Sequence, residues 1–541
     1  MHVRYVDMLG IFICAFAQIL GIVDCFGIQP ACSSSHVGID SDDDKTALLQ
    51  VQPVVESRGS IATDDLAKAE QEAASADAKT SRVLARVSSL GTLPFNHPTK
   101  DIQWKVYSAV PVASHMGTGG PLLALLGDDA HAFNLSDPAW AAFLGSQHFA
   151  SFPSGNTAPF RKDLRNNMTG VMSWFAELPH VDAATWLNTF GGEGREACLT
   201  FGVLLDNKWL RNFTSCHNPS ALPTLGSQHN LTLCYPIPPM QDSKHLPFSG
   251  YLNMPQNLVY HLRHGVDQVV VYLGPLHREF AMMLLKPFIN RKLVTIVLLD
   301  ADESPTLAHE DIHSMHDESW NDYRVFNIHG QHVNVEPWFV ADCLNRFRGR
   351  TQFFAGAIGF DEFIYSPRWM GSDWAATSSS IFDELRPQAA NGCDYAFTSM
   401  DSYTWIKPKD VNGSMLLEST KRFKNRPTGY YRKMVYKPEC LASVWTHGIK
   451  NCFDGALCKE WGPHPLEFAH IRVLSNTVLS QVSSDLPKGT GGAIVGTNTT
   501  YDKTSLVDDR VFVEEARLLR KQLCEWMSEV GLACEPRSWI P

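Results

Sequence analysis

From about residue 230 onward, apolar positions gather into short, nearly unbroken runs separated by stretches with a four-residue rhythm. The runs are Leu231–Tyr235 (LTLCY), Val266–Leu273 (VDQVVVYL), Leu293–Leu299 (LVTIVLL) and Thr351–Ile358 (TQFFAGAI). They are short and bounded by turn residues, which predicts buried strands. Between them, Gln256–His264 sets Leu258 and Leu262 four apart, and Leu276–Lys286 keeps helical spacing up to Pro287. Val335, Trp338, Phe339, Cys343 and Phe347 form one apolar helix face that Asn334 can cap. Strand–helix–strand alternation with continuous apolar strands predicts an α/β fold, a mostly parallel sheet with helices on both faces. Ligands in such sheets bind beyond the strand C-terminal ends. Asp300 and the pair Asp361-Glu362 follow two of the predicted strands.

The rest of the chain has other patterns. Residues 33–99 carry Ser33–Ser35, the acidic run Asp40-Ser41-Asp42-Asp43-Asp44 and an Ala/Glu/Lys-rich stretch, with Phe95 the only aromatic residue. Such a segment reads as a low-complexity stem. Residues 100–229 are rich in Trp, Phe, Gly and Pro and read as an accessory, irregular α+β region. Residues 230–480 hold the alternating pattern. Residues 481–541 form a C-terminal extension whose Val513–Met527 stretch predicts an amphipathic helix packed on the body, with Ala516, Leu519, Leu523 and Trp526 toward one side.

Composition narrows the class. Of 541 residues, 44% are hydrophobic and 19% charged, with a net charge of -11. A chain of this kind can bury a large core, and without a long basic run it does not suit phosphate-driven nucleic-acid binding. Met8–Val23 is uncharged and approaches membrane-spanning length without reaching it, so residues 1–32 read as a signal peptide or as an uncleaved signal anchor. Either reading sends the chain into the secretory pathway, as a secreted or single-pass type II protein of the Golgi lumen. A membrane contact is expected only through that anchor.

Two features agree with this address. Thirteen cysteines occur without any CxxC pair, which in an oxidising lumen reads as disulfides rather than a zinc ribbon. The connectivity stays open; Cys452 and Cys458 are placed to close a small loop, Cys524 and Cys534 to tie down the C-terminal helix, and Cys343 to be a buried thiol. Six N-x-S/T sequons stand at Asn134, Asn167, Asn212, Asn230, Asn412 and Asn498.

The segment Trp338–Ile364 carries the chemistry. A helix containing Ala341-Asp342-Cys343-Leu344-x-Arg346 leads into the strand and then into Gly359-Phe360-Asp361-Glu362-Phe363-Ile364. Acidic side chains at a strand end can hold a hard divalent cation; they equally describe a solvated turn or a capping pair. Arg432–Cys440 with Trp445-Thr446-His447, and Ala469-His470-Ile471-Arg472-Val473-Leu474-Ser475, follow later in the chain.

In order and spacing these segments resemble glycosyltransferase family 92 and its family 2-like relatives, over roughly residues 230–475. The matching family patterns are a D-C-x-x-R helix, an acidic D-x-D-E-F, a K-x-[IV]-x-[RK]-P…H segment and an H-[YI]-R-x-x-S segment; Leu262–Asp267 loosely resembles an H-x-x-x-G-V junction, with His264 directly before the Gly or His261 as its histidine. The resemblance implies a GT-A (Rossmann-like) fold, a nucleotide-sugar donor, commonly UDP-galactose, a glycan acceptor and inversion at the anomeric carbon. It implies a divalent cation, Mn²⁺ or Mg²⁺, at Asp361, Glu362 and His447. Asp300, at its strand end, is placed to meet a nucleotide, Lys433 and Lys437 to pair with phosphate, and His470 and Arg472 to contact the acceptor or the diphosphate of the donor. Inversion requires a general base on the acceptor hydroxyl, a role expected of Asp401, with Asp373 and Asp394 as rivals. Gly359 stands where the family has the first Asp of its acidic motif. That substitution motivates the alternative of a secreted glycan-binding or scaffold protein on a degenerate transferase fold. A secreted glycosidase is a third class, which needs two facing carboxylates.

Overall fold

The computed structural model describes residues 83–87, 90–94, 103–112, 122–128, 138–162, 171–182, 197–218, 229–235, 249–273, 278–299, 324–326, 332–334, 336–356, 358–366, 368, 380–407, 421–423, 433–445, 448–453, 457–462, 465–473, 506–508 and 513–533. All of them fall within one compact unit, Thr80–Arg537.

The predicted strands form the middle of a 12-stranded sheet. Val294–Leu299, Gln268–Leu273, His229–Tyr235 and Thr351–Ala355 lie side by side and parallel. Their nearly continuous burial matches strands covered on both faces. Beyond Thr351–Ala355 the sheet turns antiparallel, through Lys433–Tyr436 and then Tyr395–Lys407. The sheet is therefore mixed rather than mostly parallel. Hydrophobic runs announced only the strands shielded on both sides.

Successive strand residues face opposite sides, which locates the helices. Cys234 shares a buried cluster with helix Glu336–Phe347, whereas Tyr235 bonds to helix Ser249–Arg263. The two helices thus cover opposite faces, as expected. Asn334, expected to cap Glu336–Phe347, is the last residue of the short strand His332–Asn334. Helix Val513–Ser528 buries Ala516, Leu519, Leu523 and Met527. It docks through Trp526 on Phe288 and Arg291, and through Glu515 on Arg263 and His264. No described helix is long and apolar enough to cross a membrane; Met8–Val23 lies outside the described residues.

The accessory region is more regular than its sequence indicated. A five-stranded and a four-stranded antiparallel sheet share one buried cluster that includes Trp104, Phe143, Trp174, Phe201 and Phe213. The end of the segment read as a stem also belongs to the body. Val83–Val87 pairs parallel with Val294–Leu299, and Gly91–Pro94 pairs with Gln103–Val112. The short VLARV run supplies Leu84, Ala85 and Val87 to the core, a signal diluted by its Ala-rich surroundings.

A buried polar clasp joins the two parts. Asp342 accepts from Ser108 of the accessory sheet, from Tyr272 and from Arg346 Nε at 2.7 Å. Arg346 Nη1 in turn donates to His217 Nδ1 at 2.8 Å, leaving Nε2–H to face the Ala109 carbonyl at 3.1 Å. Asp342 and Arg346 of the Asp-Cys-x-x-Arg motif thus brace the fold, and Cys343 beside them is a buried free thiol, as expected. Disulfides join Cys198–Cys216, Cys393–Cys440 and Cys452–Cys458. Cys524 is also disulfide-bonded, while Cys534 lies outside the described residues.

Three histidines are held neutral. Burial pushes His148 down to about 4, and His217 and His261 each to about 3. The Lys162 charge adds to the effect at His148, and the Arg346 charge at His217. Below about pH 6.5 the unfolded chain protonates these rings while the folded chain does not. The unfolded state then binds more protons, so stability rises with pH across this window and is lost as pH falls toward 4. Each ring contributes up to about 1.4 kcal/mol per pH unit. The unfolding midpoint is expected to drop steadily from pH 7 to pH 5; a flat profile there would contradict the neutral, buried assignment.

Candidate active site

Counted from residue 229, the parallel strands lie in the order third, second, first, fourth. Strand order thus reverses between His229–Tyr235 and Thr351–Ala355, and the crevice beyond the C-terminal ends at such a point is where doubly wound sheets take their ligands. The acidic segment lies there. Thr351–Ala355 runs into Gly356, where a Cβ would come 2.5 Å from Val340 Cγ1, so only glycine lets the chain leave this close to the helix. Phe360 then stacks on Tyr235, the last residue of the neighbouring strand, at 4.8 Å and 8°.

The turn at 359–362 is closed twice. Glu362 N–H donates to the Gly359 carbonyl at 3.0 Å, and Gly359 N–H donates to Glu362 Oε2 at 2.6 Å. Glu362 is buried, and Lys433 Nζ sits 3.2 Å from the same Oε2. Its carboxylate therefore shapes the turn from inside. Asp361 is half-buried, and its Oδ1 would lie 2.7 Å from a Cβ at position 359. The glycine makes room for the Asp361 carboxylate while its N–H serves Glu362.

Helix Ser249–Arg263 clamps the strand that follows, Glu362–Tyr365. Asn257 Nδ2 donates to the Glu362 carbonyl at 2.7 Å, and Tyr260 OH to the Ile364 carbonyl at 2.8 Å. Ile364 N–H donates to His261 Nε2 at 3.1 Å. That bond fixes the tautomer: Nδ1 carries the proton and faces the carbonyl oxygens of Asn257, backbone and side chain, each at 3.0 Å. Tyr235 OH donates to Asn257 Oδ1 at 2.5 Å, and burial followed by the Glu362 charge raises its pKa well above the usual range. Tyr235 thus stays a neutral donor. These positioning residues went unnoticed as a group in the sequence. The available signal was a pair of polar residues, Asn257 and His261, four apart on an otherwise apolar helix face.

The expected site residues gather partly. His470 lies opposite Glu362 across the strand pair, and Arg472 lies two residues further along the same strand. Lys433 pairs with Met400, the neighbour of Asp401, and Asp401 stands in register with Glu467, whose carboxylate accepts from Tyr365 OH at 2.7 Å. Lys433, Glu362, His470 and Asp401 thus occupy adjoining strands of one sheet region. Lys437, by contrast, donates to the Gly392 carbonyl at 2.6 Å and supports a turn. Asp300 and His447 lie outside the described residues, as does Asp373.

The donor set meets a cation only in part. Gly359 supplies no carboxylate, Glu362 Oε2 is engaged by Lys433 and a backbone N–H, and among the described residues no three His, Cys, Asp or Glu groups gather into a cage. A cation at Asp361 needs a ligand from beyond those residues, the part expected of His447.

A family model described as Glycosyltransferase family 92 matches residues 246–508, just under half of the chain. No curated protein matches the chain. The match contains the clamping helix from Ser249, the 359–362 turn, and the strands that carry Asp401, Lys433 and His470.

Proposed function

We propose, from the match of residues 246–508 to the model of glycosyltransferase family 92, that the chain moves a hexose, galactose foremost, from a UDP-sugar donor to a glycan acceptor, with inversion, on a GT-A sheet. One observation carries the reading: the carboxylate-bearing turn 359–362 lies at the C-terminal end of the strand flanking the switch point. In this proposal Asp361 faces the donor, Lys433 supplies positive charge beside it, and Asp300, His470 and Arg472 complete the donor contacts. Asp401 takes the proton from the acceptor hydroxyl as that oxygen attacks the anomeric carbon. The expected Mn²⁺ or Mg²⁺ would be held by Asp361 and His447 and, when bound, supplies charge to the leaving diphosphate. The disulfides, together with an exposed Asn212 sequon, support export to the Golgi lumen or beyond.

A degenerate, glycan-binding domain is the second reading, motivated by Gly359. A side chain there would meet the Asp361 carboxylate, a rotatable group, and the Gly359→Asp variant separates the two readings. Purified protein should turn over UDP-hexoses when UDP- and GDP-sugars are compared with and without Mn²⁺. Gly359→Asp is expected to lower that turnover. A gain of metal-dependent activity in Gly359→Asp would favour the degenerate reading, and absence of both turnover and donor binding would remove the enzymatic one.

A further inference from the structure

On the outer face of the four-stranded sheet, three features take no part in the site above. Trp209 exposes 53% of its surface. Gly202 interrupts strand Ala197–Leu205. The sequon Asn212-Phe213-Thr214 lies within strand Lys208–His217 rather than in a loop. The two strands form a hairpin through Asp206 and Asn207, both at positive φ (49° and 59°), the two-residue turn that suits strand twist. Across it Asn212 opposes Gly202, Thr214 opposes Thr200, and Cys216 opposes Cys198. Directly opposed residues point to the same face. The outward row is therefore Asn212, Thr214 and Cys216, joined to its partners by a 2.9 Å hydroxyl contact and a disulfide. Phe213, Ser215 and His217 point inward and are buried.

On a regular strand, residues three apart face opposite sides. Trp209 and Asn212 share a side because the register slips between Trp209 and Arg211. The extra residue of this bulge brings the indole round. A Cβ built on Gly202 would come 2.1 Å from Trp209 Cη2, so the ring lies across the glycine that stands directly opposite Asn212. Only glycine admits a ring this close to the backbone. The result is a flat, half-exposed indole beside the asparagine side chain.

We propose that Asn212 carries an N-linked glycan whose first N-acetylglucosamine packs its apolar face on Trp209. The C–H groups on one side of a β-linked pyranose match the face of an indole, which has one of the largest apolar surfaces of any side chain. The co-reactant is a lipid-diphosphate-linked oligosaccharide. The Asn212 Nδ2–C1 bond forms and the C1–O bond to the diphosphate breaks. The diphosphate leaves with the electron pair, and Nδ2 gives up one proton to the transferring enzyme. Thr214 supplies the sequon hydroxyl from an exposed position. Asn230 is the contrast: Leu231 and Thr232 of its sequon are fully buried in the central sheet, and its backbone N–H is tied to Asp267 Oδ2 at 2.5 Å. The proposal rests on the export reading.

The test uses the full chain made in a secretory host, with glycopeptide mass mapping of all six sequons. Unfolding midpoints are then compared for wild type and Trp209→Ala, each with and without Thr214→Ala, which removes the glycan and keeps Asn212. Asn212 is expected to be occupied and Asn230 bare. Loss of the glycan should lower the midpoint by about 2 °C more when Trp209 is present than when it is Ala. An unmodified Asn212, or an equal shift in both backgrounds, overturns the proposal. Occupancy at other sequons with Asn212 bare leaves export intact, whereas no occupancy anywhere removes export as well.

Discussion

Asp342→Ala is expected to destabilise the protein by roughly 3–5 kcal/mol, the cost of leaving one member of a buried ion pair without its partner. Arg346 would face a neutral His217 and no carboxylate, and the hydroxyls of Ser108 and Tyr272 would lose their acceptor. Because Ser108 belongs to the accessory sheet, the loss should loosen that sheet from the body first. Asp342→Asn keeps a hydrogen-bond acceptor and should cost less. Urea unfolding followed by tryptophan fluorescence reads both variants, since Trp104 and Trp174 report the accessory core and Trp338 the helix. An Asp342→Ala variant within about 0.5 kcal/mol of wild type, the range of neutral surface changes, would show that the clasp is not a structural joint.

The second large effect falls on chemistry. Asp361→Asn is expected to lower kcat/KM for the donor by about 10²–10³-fold, the usual cost of removing one preorganised electrostatic contact from a transition state. Stability should change little, because Asp361 is half-exposed and Glu362 holds the turn. Glu362→Gln should behave differently, because it leaves Lys433 buried beside a neutral group. That variant should lose stability and activity together. Equal stability losses in the two variants would contradict the separate roles.

The parallel half of the sheet was legible because its strands are buried on both faces, so their residues are apolar without interruption. The position of the acidic turn followed from that reading, since the turn must come after the strand. The antiparallel half was hidden. Tyr395–Lys407 mixes Thr, Ser, Asp and Lys with its apolar residues, and its partners are set by distant pairing rather than by local rhythm. The clasp was hidden for a related reason. Asp342 and Arg346 look like a helical i,i+4 pair in sequence, and only the fold brings Ser108, His217 and Tyr272 to them from far along the chain. Gly359 was read as a missing carboxylate. In the fold its N–H donates to Glu362, and a Cβ there would come 2.7 Å from Asp361 Oδ1.

Calorimetric titration of nucleotide sugars into the exported protein tests the switch-point site most directly. Saturable binding of a UDP-sugar that Asp361→Asn abolishes is the result expected here. Failure of every UDP- and GDP-sugar to bind, or unchanged binding by Asp361→Asn, would contradict the placement of the donor at this turn.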